Sequence, residues 1–181
     1  MRVSACKKQK QTMPVEIRAA TPADIPAILT LAAEAKALLK ARNINQWQDD
    51  YPQQELFEQD LRAGAGFAVC HAGQVAGYFA VLLSEDPNYH YIENGAWHTQ
   101  APYATLHRLM LNAALRGSGA VESIFQFWLH RAQAAHCRAL RGDTHPDNRS
   151  MQHFFVRRGF NRCGVIYVHG GQNRDAFEKP L

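Results

Sequence analysis

Leu109-Met110-Leu111-Asn112-Ala113-Ala114-Leu115-Arg116-Gly117-Ser118-Gly119-Ala120-Val121 is the stretch that decides how this chain folds. An apolar run ends in a short connection, and a basic turn punctuated by glycines then opens onto a helix. Val121, Ile124, Phe125, Trp128, Leu129 and Ala132 follow the i, i+3, i+4, i+7 spacing of a helix with one buried face. Strand, glycine turn and helix start together form an anion seat. The first helical amides have no intrahelical partner, the macrodipole is positive there, and glycines let a phosphate approach the backbone.

Outward from this stretch, the pattern is one of alternating strands and helices. Val15–Arg18 reads as a first strand, followed by Thr21-Pro22-Ala23-Asp24, a capping-box arrangement with proline at the first helical position. Ile25, Ile28, Leu29, Ala32 and Leu39 stripe one face of the helix that follows, and a shorter helical piece after Pro52 carries Leu56, Phe57 and Leu61. Phe67–Cys70 and Val75–Leu82 flank His71-Ala72-Gly73-Gln74 as a hairpin. Ala104–Leu111 and Ala139–Thr144 read as the fourth and fifth strands. Asp147 or Asn148 caps a helix through Met151, Phe154 and Phe155 that stops at Gly159, and Phe160–Val168 and Arg174–Lys179 complete the sheet.

The glycine turn lacks the Gly-Lys-Ser/Thr ending of a P-loop and the third glycine of a dinucleotide fingerprint. Arg116-Gly117-Ser118-Gly119-Ala120-Val121 instead resembles the acetyl-CoA motif Gln/Arg-x-x-Gly-x-Gly/Ala of the GNAT N-acetyltransferases, with Val121 where glycine or alanine is usual. The order of elements, with Asn148-x-x-Met151 and Arg158-Gly159-Phe160 near the end, is similar to that family over Val15–Leu181. The resemblance implies an α/β fold of the mixed-sheet, α+β kind: about seven strands, the fourth and fifth splayed, helices on both faces. It implies an acetyl-CoA-dependent acyltransferase with no metal, moving an acetyl group to the primary amine of a small molecule. A peptide lysine or N-terminus is an alternative acceptor, and a non-catalytic acyl-CoA-binding regulator an alternative role.

Carried over residue by residue, the resemblance makes Leu109, Met110 and Leu111 partners of the pantetheine arm, which pairs with the splayed strand much as an added strand would. Arg116, Gly117, Ser118, Gly119, Ala120 and Val121 become the diphosphate seat, and Asn148 a contact near the pantetheine. An amide around Leu111 would hold the developing oxyanion. A protonated amine must lose a proton before attack. His107 is the first candidate base, since strict alternation would set it on one face with Thr105, Leu109 and Leu111. Arylalkylamine acetyltransferases of this superfamily carry a histidine at the matching position; a core histidine bonded to a carboxylate is the other reading. His145 and Asp143 are the next candidates, although Asp143–Asn148 also reads as a loop satisfying its own backbone. Many GNAT enzymes have a tyrosine acid seven residues after the capping asparagine, where this chain has Phe155; either the thiolate leaves without a protein acid or another hydroxyl, Tyr167 on the following strand, takes the role.

Two segments stand out as acceptor candidates. Asn45–Pro52 contains Trp47 and Tyr51, and the long connection Tyr89–His98 contains Glu93 and Trp97. Aromatic rings with a carboxylate can clasp a cationic, partly apolar amine. The same rings could cover the sheet or form the contact of a homodimer.

With 181 residues the chain is long enough for one domain over 14–181 with a core of its own. The formal charge of +4 misleads: Arg2, Lys7, Lys8 and Lys10 lie in residues 1–13 without an acid, and the remainder balances. A flexible basic tail of that length reads as a solvated extension rather than a nucleic-acid or membrane anchor. No apolar run approaches a membrane span, no signal-peptide hydrophobic region is present, and four cysteines without CxxC pairing suit a reducing cytoplasm.

Overall fold

A computed structural model describes residues 14–168 and 170–181; the expected tail over 1–13 lies outside the described residues. In chain order the elements are β1 (Glu16–Ala19), α1 (Ile25–Ala41), α2 (Gln54–Arg62), β2 (Gly66–His71), β3 (Gln74–Leu82), β4 (Tyr103–Leu111), α3 (Ala120–Ala134), β5 (Ala139–Thr144), α4 (Arg149–Val156), β6 (Asn161–Val168) and β7 (Gln172–Pro180). The strands form one sheet in the order β1-β2-β3-β4-β5-β7-β6. Every neighbouring pair is antiparallel except β4 and β5. The mixed sheet with helices on both faces is the architecture expected from the sequence.

Each helix covers the sheet for the reason its sequence pattern gives. A 15-residue helix is marginal in water alone, so α3 depends on the face that Ile124, Phe125, Trp128 and Ala132 bury. That face packs with Phe154 and Phe155 of α4 against Phe79, Leu106, Leu140 and Phe177 of the sheet. On the opposite face α1 and α2 set Ile28, Leu31 and Phe57 against Tyr78 and Met110. The connection between β3 and β4 lies over that same face further along, where Tyr89 packs with Tyr103, Ala139 and Ala176.

The start of α1 uses the Thr21-to-Asp24 signal. The Asp24 carboxylate accepts the Thr21 amide at 2.8 Å and a two-point contact from Arg18, both at 2.8 Å. Those Arg18 bonds outweigh partial burial and hold the carboxyl well below the usual range. A 3₁₀ turn over Pro22–Asp24 leads into the helix. At α4, the Asn148 side chain accepts the Met151 amide at 3.3 Å, so Asn148 is the cap.

Candidate active site

The sheet opens in its middle. β4 and β5 pair only through Tyr103–Ala139, Ala104–Leu140 and Thr105–Arg141; beyond Thr105 the β5-facing edge of β4 is bare. The cause lies in β4 itself. Arg108 has φ +52° and the register with β3 slips by one residue there, so β4 bulges and bends away. A cavity of about 1040 Å³ runs through the opening, with walls from both sides of the sheet.

The bulge also corrects the expected facing of His107. A single extra residue reverses the alternation after it. Leu109 and Leu111 pack on the α3–α4 side, whereas His107 and Met110 belong to the α1–α2 side. His107, Leu109, Met110 and Leu111 all line the cavity, but on two faces rather than one.

One half of the cavity adjoins the turn and helix start that opened the sequence, of which Arg116 and Val121 line it while Gly117, Ser118, Gly119 and Ala120 stand beside it. Gly119, in the left-handed region at φ +93°, is the residue before α3. A side chain would be strained there, as it would at Gly117 with φ +77°. Ser118 closes the turn internally: its hydroxyl donates to the Leu115 carbonyl at 2.7 Å and accepts the Ala120 amide at 3.2 Å. The amides of Gly117, Gly119 and Val121 find no acceptor among the described residues. They supply the donors that an anion at a positive helix end requires. Arg116, Val121, Asn148, Ser150, Met151 and Phe154 complete this wall. The Arg116 guanidinium folds back onto the Leu111 carbonyl at 3.1 Å and approaches Glu34 at 3.8 Å.

The other half is made of charged and aromatic side chains. His107 Nε2 stands 2.9 Å from Asp86 Oδ2, without the alignment of a hydrogen bond. Burial opposes the Asp86 charge, but His107 and the Asn88 donors outweigh it and lower its pKa below the ordinary value. Arg108 meets Asp60 through two bonds of 2.8 and 2.6 Å, and Tyr78 donates to the same carboxylate at 2.7 Å. Arg108 also reaches the Tyr51 hydroxyl at 3.2 Å. Burial raises the Tyr51 pKa despite that guanidinium, so the phenol stays protonated. Trp47 lies with its ring 6.1 Å from Tyr51, and both line the cavity. Tyr89 donates to Asp143 at 2.7 Å.

Four expected site residues lie elsewhere. Tyr167 is on the outer face of the edge strand β6, its hydroxyl donating to Glu93 at 2.7 Å, and neither residue lines the cavity. Trp97 is a packing residue: its indole donates to the Tyr89 carbonyl at 2.8 Å and its ring receives Arg141 at 4.2 Å. His145 faces a smaller recess, and its Nδ1 accepts the Asp147 amide at 3.1 Å. Burial and nearby Arg174 lower its pKa, which suits a loop-forming imidazole. Phe155 is fully buried and stacks on Phe177 at 4.8 Å. A Cβ at Gly142 would stand 2.6 Å from its ring, so β5 rests directly on it.

Asp60, Asp86, Arg108 and Arg174 line the cavity without having been singled out from the sequence; Asp143, a candidate named with His145, lines it as well. Asp60 and Arg108 find each other across 48 residues, and nothing local in the sequence marks Asp86 or Arg174. Among the described residues, His98, Cys163 and Glu178 bring ligand atoms within 4.8 Å of one another. Glu178 there already accepts from Arg141, Thr99 and the His98 amide, while burial lifts the Cys163 thiol to about 11. No helix among the described residues is long and apolar enough to cross a membrane.

The acetyltransferase (GNAT) family profile matches residues 32–160. A solved GNAT family acetyltransferase from Streptococcus agalactiae superimposes with a TM-score of 0.82 at 29% identity, covering 92% of this chain and 95% of that one. A GNAT family acetyltransferase from Listeria monocytogenes gives 0.73 at 21% identity, covering 93% and 96%. A ribosomal-protein-alanine N-acetyltransferase from Brucella melitensis gives 0.64 at 20% identity, covering 92% and 99%. No curated protein matches the sequence.

Proposed function

The chain belongs to the GNAT acetyltransferase family, and on that premise we propose that it moves the acetyl group of acetyl-CoA to the primary amine of a small molecule. The observation that carries this reading is the parting of β4 from β5 beside a helix start with unpartnered amides. The amides of Gly117, Gly119 and Val121 would hold the CoA diphosphate, and the bare edge of β4 would pair with the pantetheine amides. Asn148, whose side chain is committed to Met151 and Gln46, would shape that wall more than bond to it.

The cavity lining as a whole carries seven carboxylates against four guanidiniums, which favours a cationic amine over a neutral one. His107, steadied by Asp86, is the base that takes the amine proton before attack. Proximity of amine and thioester supplies much of the remaining acceleration. Tyr51, which lines the cavity as a protonated phenol, replaces Tyr167 as the hydroxyl that can return a proton to the departing thiolate. A thiol pKa of about 8.5 makes that help modest. The free thiols of Cys70, Cys137 and Cys163 are in keeping with a reducing, cytoplasmic setting.

By its name the Brucella neighbour acts on a ribosomal protein; at 20% identity it shares the fold alone. Walls from both the Gln46–Gln53 segment and the Leu82–Asn88 segment favour a small acceptor over a peptide. Following free-thiol release from acetyl-CoA across a panel of amines tests the activity. Amine-dependent turnover is expected; acetyl-CoA binding without turnover would make the protein a regulator instead.

A further inference from the structure

Three arginines are buried among the described residues: Arg108, Arg141 and Arg174. Two have the partner that a buried guanidinium demands, since an unpaired interior charge is costly. Arg108 meets Asp60 at 2.6 Å and Arg141 meets Glu178 at 2.9 Å. Arg174 is just as buried, at 3% exposure, and has no carboxylate within ion-pair distance among the described residues. Among the described residues its acceptors are the Asn173 carbonyl at 2.8 Å and the Gln172 side chain at 2.9 Å, and Nε has none there.

The nearby acids are already committed. Asp143 accepts from Tyr89 at 2.7 Å, and Asp49 accepts from Gln172 at 3.0 Å. Both favour the Arg174 charge from beyond contact, yet burial prevails and its pKa is lowered. Arg174 lines the main cavity. Two residues along β7, Ala176 packs with Tyr89 and Tyr103, so Arg174 is on the His107 side of the sheet. A cationic anchor and a candidate base therefore share one chamber and one face.

We propose that Arg174 receives a carboxylate of the acceptor, so that the substrate is an amino acid rather than a simple amine. This rests on the acetyltransferase reading above and narrows its substrate class. The amino group of such a zwitterion meets the acidic lining near Asp86, while its carboxylate supplies the charge that Arg174 lacks. A planar guanidinium is suited to that oxyanion geometry.

The test compares matched pairs in the thiol-release assay: α-amino acids and ω-amino acids of rising chain length, each against its amide. The best acid is expected to exceed its amide by about 10- to 100-fold in kcat/KM, the range of a charge-assisted bond. In Arg174→Gln that ratio falls to near 1, and Arg174→Lys restores part of it. The wild-type pairs decide the matter even if the glutamine variant folds poorly. Turnover of acids and amides at equal efficiency overturns the carboxylate site while leaving the acetyltransferase reading standing. Absence of turnover with every amine overturns both.

Discussion

The two halves of the cavity are built from different materials. The half beside α3 is backbone: a bare strand edge, two glycines at positive φ and three amides without acceptors. The half beneath α1 and α2 is side chain, with His107, Asp86, Arg108, Asp60, Tyr51 and Arg174 drawn from five separate segments. A backbone site recognises what is common to every reaction the scaffold can run, because any sequence has amides. A side-chain site recognises what is particular, because each group can be exchanged without refolding the sheet. The bulge at Arg108 joins the two, parting the strands for one half and turning a buried guanidinium into the other.

If this division holds, damage to the side-chain half leaves the backbone half working. The largest effect expected is from His107→Gln, which lowers kcat by about 100- to 10,000-fold, the range for a positioned base. Steady-state kinetics with an accepted amine would show acetyl-CoA affinity unchanged alongside it. A comparable loss of acetyl-CoA binding would break the comparison. Next is Asp60→Asn. It leaves Arg108 buried without its counter-ion, and thermal or urea unfolding should register about 3–5 kcal/mol of destabilisation.

The smallest effect lies at the start of α1, whose far end borders the side-chain half. Asp24→Asn should cost up to about 1 kcal/mol at neutral pH by removing the charge that Arg18 pairs with. The folded Asp24 pKa is depressed by Arg18, so its stabilisation is complete above the unfolded value of about 3.9 and drains away as pH falls below it. Tm measured from pH 6 down to pH 2 should therefore show wild type and Asp24→Asn converging. Parallel curves would contradict the ion-pair account.

The sequence was legible where physics is local. The glycine turn, the 3.6-residue stripe of α3 and the Thr21 and Asn148 caps all fell where their patterns put them, because each depends on residues a few positions apart. The face of His107 was misread because alternation assumes an unbroken strand, and nothing in Leu106–Leu109 announces that Arg108 takes a left-handed conformation. That conformation is sustained by Asp60, 48 residues earlier. Trp97 and Glu93 were misassigned for a related reason. An aromatic ring beside an acid reads as a pocket, but whether it faces solvent, core or cavity depends on Arg141 and Tyr167, which only the folded sheet brings near. Asp60, Asp86 and the want of a counter-ion at Arg174 were out of reach for the same cause, whereas Asp143 was already a candidate beside His145.

The central claim is that the α3 start and the bare edge of β4 grip a CoA thioester. Isothermal titration of acetyl-CoA into the wild-type protein and into Gly119→Val tests it most directly. One-to-one binding to the wild type is predicted, weakened about 10-fold or more in the variant, where a β-branched side chain is forced toward φ +93° at the phosphate-facing turn. No saturable heat with the wild type, or equal affinity in the two proteins, would contradict it.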